Sequence, residues 1–62
     1  MSDDPRPLLD IHQLAELLGV SEWTLYEWRN RRQGPPAIKV GRLLRWRLTD
    51  VETWLDQRRE RA

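Results

Sequence analysis

Cysteine is absent from the 62 residues, and histidine occurs once, at His12. Without thiols no disulfide or thiolate cluster can staple the fold, and a lone imidazole cannot build a zinc or iron site. No metal or other cofactor is expected, so the core has to form by apolar packing alone. No apolar run approaches the roughly 20 residues of a membrane span, and nothing resembles a signal peptide. The expectation is a soluble, cytoplasmic chain without membrane contact. Also lacking are a nucleophile paired with a base, a carboxylate pair set in a cleft and a phosphate-binding glycine loop. At this length only about 60% of the unfolded chain's surface can be buried, so an enclosed active site would compete with the core for residues. Both considerations argue against an enzyme.

What is present is 39% apolar residues, four of them Trp, which is too much for a disordered chain and enough for one small domain. Eleven Lys and Arg against ten Asp and Glu leave a net charge of +1, but the average conceals a segregation. Between Arg29 and Arg47 lie seven cations, namely Arg29, Arg31, Arg32, Lys39, Arg42, Arg45 and Arg47, with no acid among them. The remainder carries 4 cations and 10 acids, a net of −6. Such a bipolar chain attracts a polyanion on one side while staying nearly neutral overall.

Along the chain, residues 1–7 hold two Asp and two Pro without apolar periodicity and read as a flexible leader. The domain proper is expected over residues 8–57, with a frayed basic tail over 58–62. Asp10 caps a first helix with Ile11, Leu14, Ala15 and Leu18 on one face, and Gln13 completes a capping box. Gly19 ends it in a tight turn and Ser21 caps a second helix, predicted from Glu22 to Arg31 or Arg32, with Leu25 and Trp28 facing inward. Its opposite stripe, Trp23, Tyr26, Glu27 and Asn30, exposes two aromatics and two hydrogen-bonding side chains together.

Gly34-Pro35-Pro36 breaks that helix. Two runs of strand period follow, joined at Gly41-Arg42 in a two-residue turn or a loop reaching Leu43. The hairpin is expected to place Ile38, Val40, Leu44, Trp46 and Leu48 on the core and Lys39, Arg45 and Arg47 in solvent, with Arg42 at its tip. Thr49 and Glu52 predict a capping box opening a last helix, whose Val51, Trp54 and Leu55 share one side. His12 lies on the polar side of the first helix and reads as simply exposed.

Two short helices meeting at a glycine turn, with Ala15 allowing close approach, fit a helix-turn-helix, and the hairpin after them fits a wing. The stretch Leu8-Leu9-Asp10, Leu14-Ala15-Glu16-Leu17-Leu18-Gly19-Val20-Ser21, Thr24-Leu25-Tyr26, Gly34-Pro35-Pro36, Ile38-Lys39-Val40-Gly41-Arg42, Asp50-Val51-Glu52 and Trp54-Leu55 resembles the small winged helix-turn-helix proteins of the excisionase and MerR-like superfamily. That superfamily includes phage and integrative-element excisionases and AlpA-type regulators. The fold class expected is mainly α with a β-hairpin.

The resemblance implies that the second helix enters the major groove of double-stranded DNA while the wing grips the adjacent backbone or minor groove. Base contacts then fall to Glu22, Trp23, Tyr26, Glu27 and Asn30. Ser21, Thr24, Arg29, Arg31 and Arg32 are backbone candidates, and Lys39, Arg42, Arg45 and Arg47 are the wing's. The resemblance further implies an excisionase that bends attachment-site DNA in several copies and directs a partner integrase, in a prokaryotic or phage-infected cell. A prophage-type transcriptional regulator would use the same surface. A protein-interaction adaptor using Trp23 and Tyr26 is the third reading, with the cations merely solubilising. Several residues have plainer roles open to them: Trp23 as a cover or protomer contact, Ser21 as a cap, and Glu22 or Glu27 turned from the phosphates.

Overall fold

In the computed structural model, which describes residues 8–60, the elements run β1 (Leu8–Leu9), α1 (Ile11–Leu18), α2 (Glu22–Asn30), β2 (Ile38–Val40), β3 (Leu43–Arg47) and α3 (Leu48–Gln57). The expected leader over residues 1–7, and Arg61 of the basic tail, lie outside the described residues. Asp10 caps α1 as its sequence predicts. Its carboxylate accepts from the Gln13 backbone N–H at 2.7 Å, and the Gln13 side-chain oxygen accepts from the Asp10 N–H at 3.0 Å.

Both helices of the helix-turn-helix end in the same way. At the end of α1, Gly19 has φ 71°, and the next residue's N–H, that of Val20, reaches back to the Ala15 carbonyl at 3.1 Å. At the end of α2, Arg32 has φ 58° and the Gln33 N–H reaches the Trp28 carbonyl at 2.7 Å. Each is a left-handed residue followed by a six-to-one hydrogen bond, which satisfies a carbonyl the helix leaves open. The helix proper therefore closes at Asn30, with Arg31 as its cap, slightly before the predicted end.

The core consists of Leu14, Ala15, Leu25, Trp46 and Val51, with Leu9, Ile11, Leu18, Val20, Trp28 and Leu44 packed around it. Leu14 and Leu25 fill the angle between α1 and α2, while Trp46 and Val51 carry the sheet and α3 onto the same cluster. At the Gly34-Pro35 corner Pro35 is buried, and Gly34 lies close against the Trp28 side chain. Trp28 in turn meets Trp54 of α3, ring centroids 5.6 Å apart, and the Arg58 guanidinium lies 4.9 Å from the Trp54 ring centre.

Among the described residues the sheet has three strands in the order β1-β3-β2, all antiparallel. Its first strand is only two residues long, too short for any alternation to reveal. The relative phase of the hairpin strands differs from the expected one. Gly41 and Arg42 form a two-residue turn, so Val40 pairs with Leu43, Lys39 with Leu44 and Ile38 with Arg45. Paired residues share a face, which puts Ile38 and Val40 with Leu43, Arg45 and Arg47 rather than with Leu44 and Trp46. Val40 and Leu43 are accordingly 47% and 55% exposed, and Lys39 lies on the other side of the sheet from Arg45 and Arg47. Arg45 is half-buried, its guanidinium donating to the Leu44 carbonyl at 2.7 Å, and does not stand free in solvent.

The junction to α3 also departs from expectation. Strand passes directly into helix, with Arg47 in an extended conformation as the cap residue and making no side-chain cap bond. Thr49 is thus inside the first turn, and the Thr49-Glu52 capping box does not form. Pairing of Leu8 with Arg47 holds the strand to its last residue, leaving no slack for a separate cap. Leu48 consequently belongs to the helix and is 41% exposed, and Leu55 is exposed while Val51 and Trp54 turn inward. The three helices of the described residues and this small sheet make a winged helix-turn-helix.

Candidate nucleic-acid interface

The face of α2 opposite Leu25 is built from the start of the helix outward. Ser21 Oγ accepts from the Thr24 backbone N–H at 3.1 Å and lies 2.9 Å from Thr24 Oγ1. Both hydroxyls of the helix start are therefore tied to each other, with Ser21 acting as cap. Beyond them Trp23 is 69% and Tyr26 51% exposed, although both are large enough to anchor a core. Asn30 is exposed on the same stripe. A small domain that leaves these two aromatics in water holds surface ready for a partner.

The two carboxylates on α2 are not bare. Glu27 pairs with Arg31 one turn on, at 3.3 Å, a spacing of i to i+4 that the sequence displays openly. Glu22 Oε2 lies 3.0 Å from His12 Nδ1, a bond that crosses from α2 to α1. This hydrogen bond, and then the charges of Glu16, Glu22 and Asp10, raise the His12 imidazole above its ordinary value. No local spacing marks the contact, since it arises only when the turn at Gly19 brings the two helix starts together.

The hairpin adjoins this face. Tyr26, Arg42, Leu43, Leu44 and Arg45 line one groove, shared with Asp10 and Ile11 at the start of α1. Arg29 and Arg32 line a second groove with the Gly34-Pro35-Pro36 corner. The structure thus brings Tyr26 beside Arg42 and Arg45, and gathers Arg29 and Arg32 at the other end of α2. It separates Lys39 from Arg45 and Arg47, and gives Arg31 an internal partner in Glu27. Among the described residues no three His, Asp or Glu side chains gather to hold a metal ion, and no helix is long and apolar enough to cross a membrane.

An exposed aromatic and polar stripe on the second helix, with a cationic hairpin against it, defines a helix-turn-helix protein of the nucleic-acid-binding class. The family model described as a helix-turn-helix domain matches residues 8–59. The chain belongs to this family, one of small excisionase- and AlpA-like proteins. No curated protein matches the chain closely.

Proposed function

We propose that this protein binds double-stranded DNA sequence-specifically and acts as an excisionase, directing a partner integrase toward excision without chemistry of its own. The observation that carries the DNA-binding part is the continuity between the exposed stripe of α2 and the cationic hairpin, joined through the groove that Tyr26 shares with Arg42 and Arg45. An α-helix fits the major groove, and a wing beside it reaches the neighbouring backbone. In this reading Asn30 pairs with adenine, while Trp23 and Tyr26 pack on a thymine methyl or a sugar. Glu22 or Glu27 accepts from a cytosine amino group. Ser21 and Thr24 meet phosphate, Arg29, Arg31 and Arg32 flank the groove, and Lys39, Arg42, Arg45 and Arg47 serve the wing.

Membership in a family of excisionase- and AlpA-like proteins supports the finer role. Copies bound side by side would bend the attachment DNA, the cost of bending being offset by the added contacts. The working place of such a protein is the cytoplasm, on the nucleoid. A transcriptional regulator would use the same face, because the family joins both kinds of protein.

The test is a titration of the protein against a duplex carrying an integrase attachment region, a promoter duplex and a scrambled one, each at several salt concentrations. Stepwise, tighter binding to the attachment duplex is expected, with log affinity falling by about 0.9 per phosphate neutralised for each decade of salt. Specific binding at the promoter alone would replace the excisionase reading with the regulator. Equally feeble binding to all three duplexes would leave Trp23 and Tyr26 as a protein-binding face and sink the proposal.

A further inference from the structure

His12 plays no part in the interface as described so far, yet it is bonded to a residue that does. It stands on the first turn of α1, exposed, with Nδ1 3.0 Å from Oε2 of Glu22, the first residue of α2. The charged groups that act on it are Glu22, Glu16 and Asp10, all acidic. No other histidine exists in the chain. Glu22 and Glu27 thus differ in one respect: the partner of Glu27 is the guanidinium of Arg31, whereas the partner of Glu22 is an imidazole, which can be neutral or charged.

We propose that His12 is a positioning residue of the DNA interface: it holds the Glu22 carboxylate across the helix pair and, as imidazolium, cancels the charge which that carboxylate presents to the phosphates, so that DNA binding takes up a proton. The inference rests on the reading of α2 as the groove-entering helix. A carboxylate has two oxygens, so the bond to His12 engages one and leaves the other able to accept from a base. With the imidazole neutral, Glu22 faces a polyanion with its charge uncompensated. Because His12 is bonded to the first residue of α2, a duplex entered by that helix would bring phosphates near the imidazole, and charges act over roughly 8 Å in physiological salt.

The direction follows from linkage. Hydrogen bonding to Glu22 already raises the imidazole above its ordinary value in the free protein, and nearby phosphates raise it further in the complex. Affinity is therefore greatest below the free-protein value and declines as pH rises through the value in the complex. The decline is limited to about tenfold for each unit by which the duplex raises the imidazole.

The test uses the full chain and a fluorescent 20-base-pair duplex of random sequence, so that no operator need be known, with anisotropy read from pH 5.5 to 8.5 at fixed ionic strength. Wild type is expected to lose affinity several-fold across that range. His12→Gln should be flat and weak, His12→Lys flat and tight, and Glu22→Gln tighter than wild type at pH 8. In parallel, the single imidazole is titrated by NMR in wild type and Glu22→Gln, where its pKa should fall on losing the carboxylate. A pH slope in His12→Gln equal to that of wild type would overturn the proposal, as would an imidazole pKa unmoved by Glu22→Gln. Absence of duplex binding at every pH, with the imidazole still responding to Glu22→Gln, would instead overturn the DNA-binding reading on which it rests.

Discussion

Arg32 holds a backbone conformation that L side chains resist, with φ 58° at the end of α2. The equivalent place after α1 is Gly19, where no Cβ has to be accommodated. An L residue in this region costs about 1–2 kcal/mol, against the about 0.5–1 kcal/mol that Gly's extra freedom costs on folding. Arg32→Gly is therefore expected to stabilise the fold by about 0.5–1 kcal/mol, a rise of a few degrees in thermal midpoint by circular dichroism. The same variant should bind duplex DNA more weakly, with a salt slope shallower by about 0.9 if Arg32 neutralises a phosphate. A less stable variant would show that the Arg32 backbone is not strained. Unchanged affinity would remove Arg32 from the interface.

At the scale of elements, capping and turn chemistry were readable from the chain because they are local. Asp10 with Gln13, Ser21 with Thr24, and Gly19 each act within a few residues, and each stands where the sequence puts it. The phase of the hairpin was not readable. Both strands alternate, but apolar residues occupy both parities: Ile38 and Val40 on one strand, Leu43 as well as Leu44 on the other. A turn of two residues rather than three then decides which set faces the core, and one step of register exchanges every side chain. The Thr49-Glu52 motif misled for a related reason, since the sheet pairing at Arg47 sets where α3 begins. His12 was out of reach of any local pattern, lying ten residues from Glu22. The exposed stripe of α2 was legible because its 3.6-residue period fixes which side chains oppose Leu25.

The observed register carries its own prediction. Val40→Thr should change stability by no more than about 0.5 kcal/mol, because Val40 faces outward and Thr keeps the β-branched shape. Leu44→Ala, which empties a site packed against the core, should cost about 2 kcal/mol or more. Urea unfolding of the two variants measures both. A large loss from Val40→Thr with little from Leu44→Ala would require the alternative register.

For the whole molecule, size sets how much any one contact matters. Native domains have a stability of about 0.05–0.15 kcal/mol per residue, which for 62 residues is about 3–9 kcal/mol. Among the described residues the core of Leu14, Ala15, Leu25, Trp46 and Val51 carries that margin, and of these Leu14 and Val51 are fully enclosed. Leu14→Ala is expected to cost about 2–5 kcal/mol, a large fraction of the total, and to leave a substantial unfolded population at 37 °C. Such a variant reports on function as well as folding, since a ligand that binds only the folded state restores stability by mass action. Duplex at 100 times the dissociation constant adds about 2.7 kcal/mol, enough to refold much of the population. Circular dichroism of Leu14→Ala should therefore recover helix signal as duplex is added at low salt, and lose it again as salt is raised. The charge segregation predicts that salt reversal if, as proposed, the cations from Arg29 to Arg47 supply the attraction. Recovery that ignores salt would place the binding energy in Trp23 and Tyr26 alone, and no recovery at saturating duplex would mean that the folded form is not the one DNA selects.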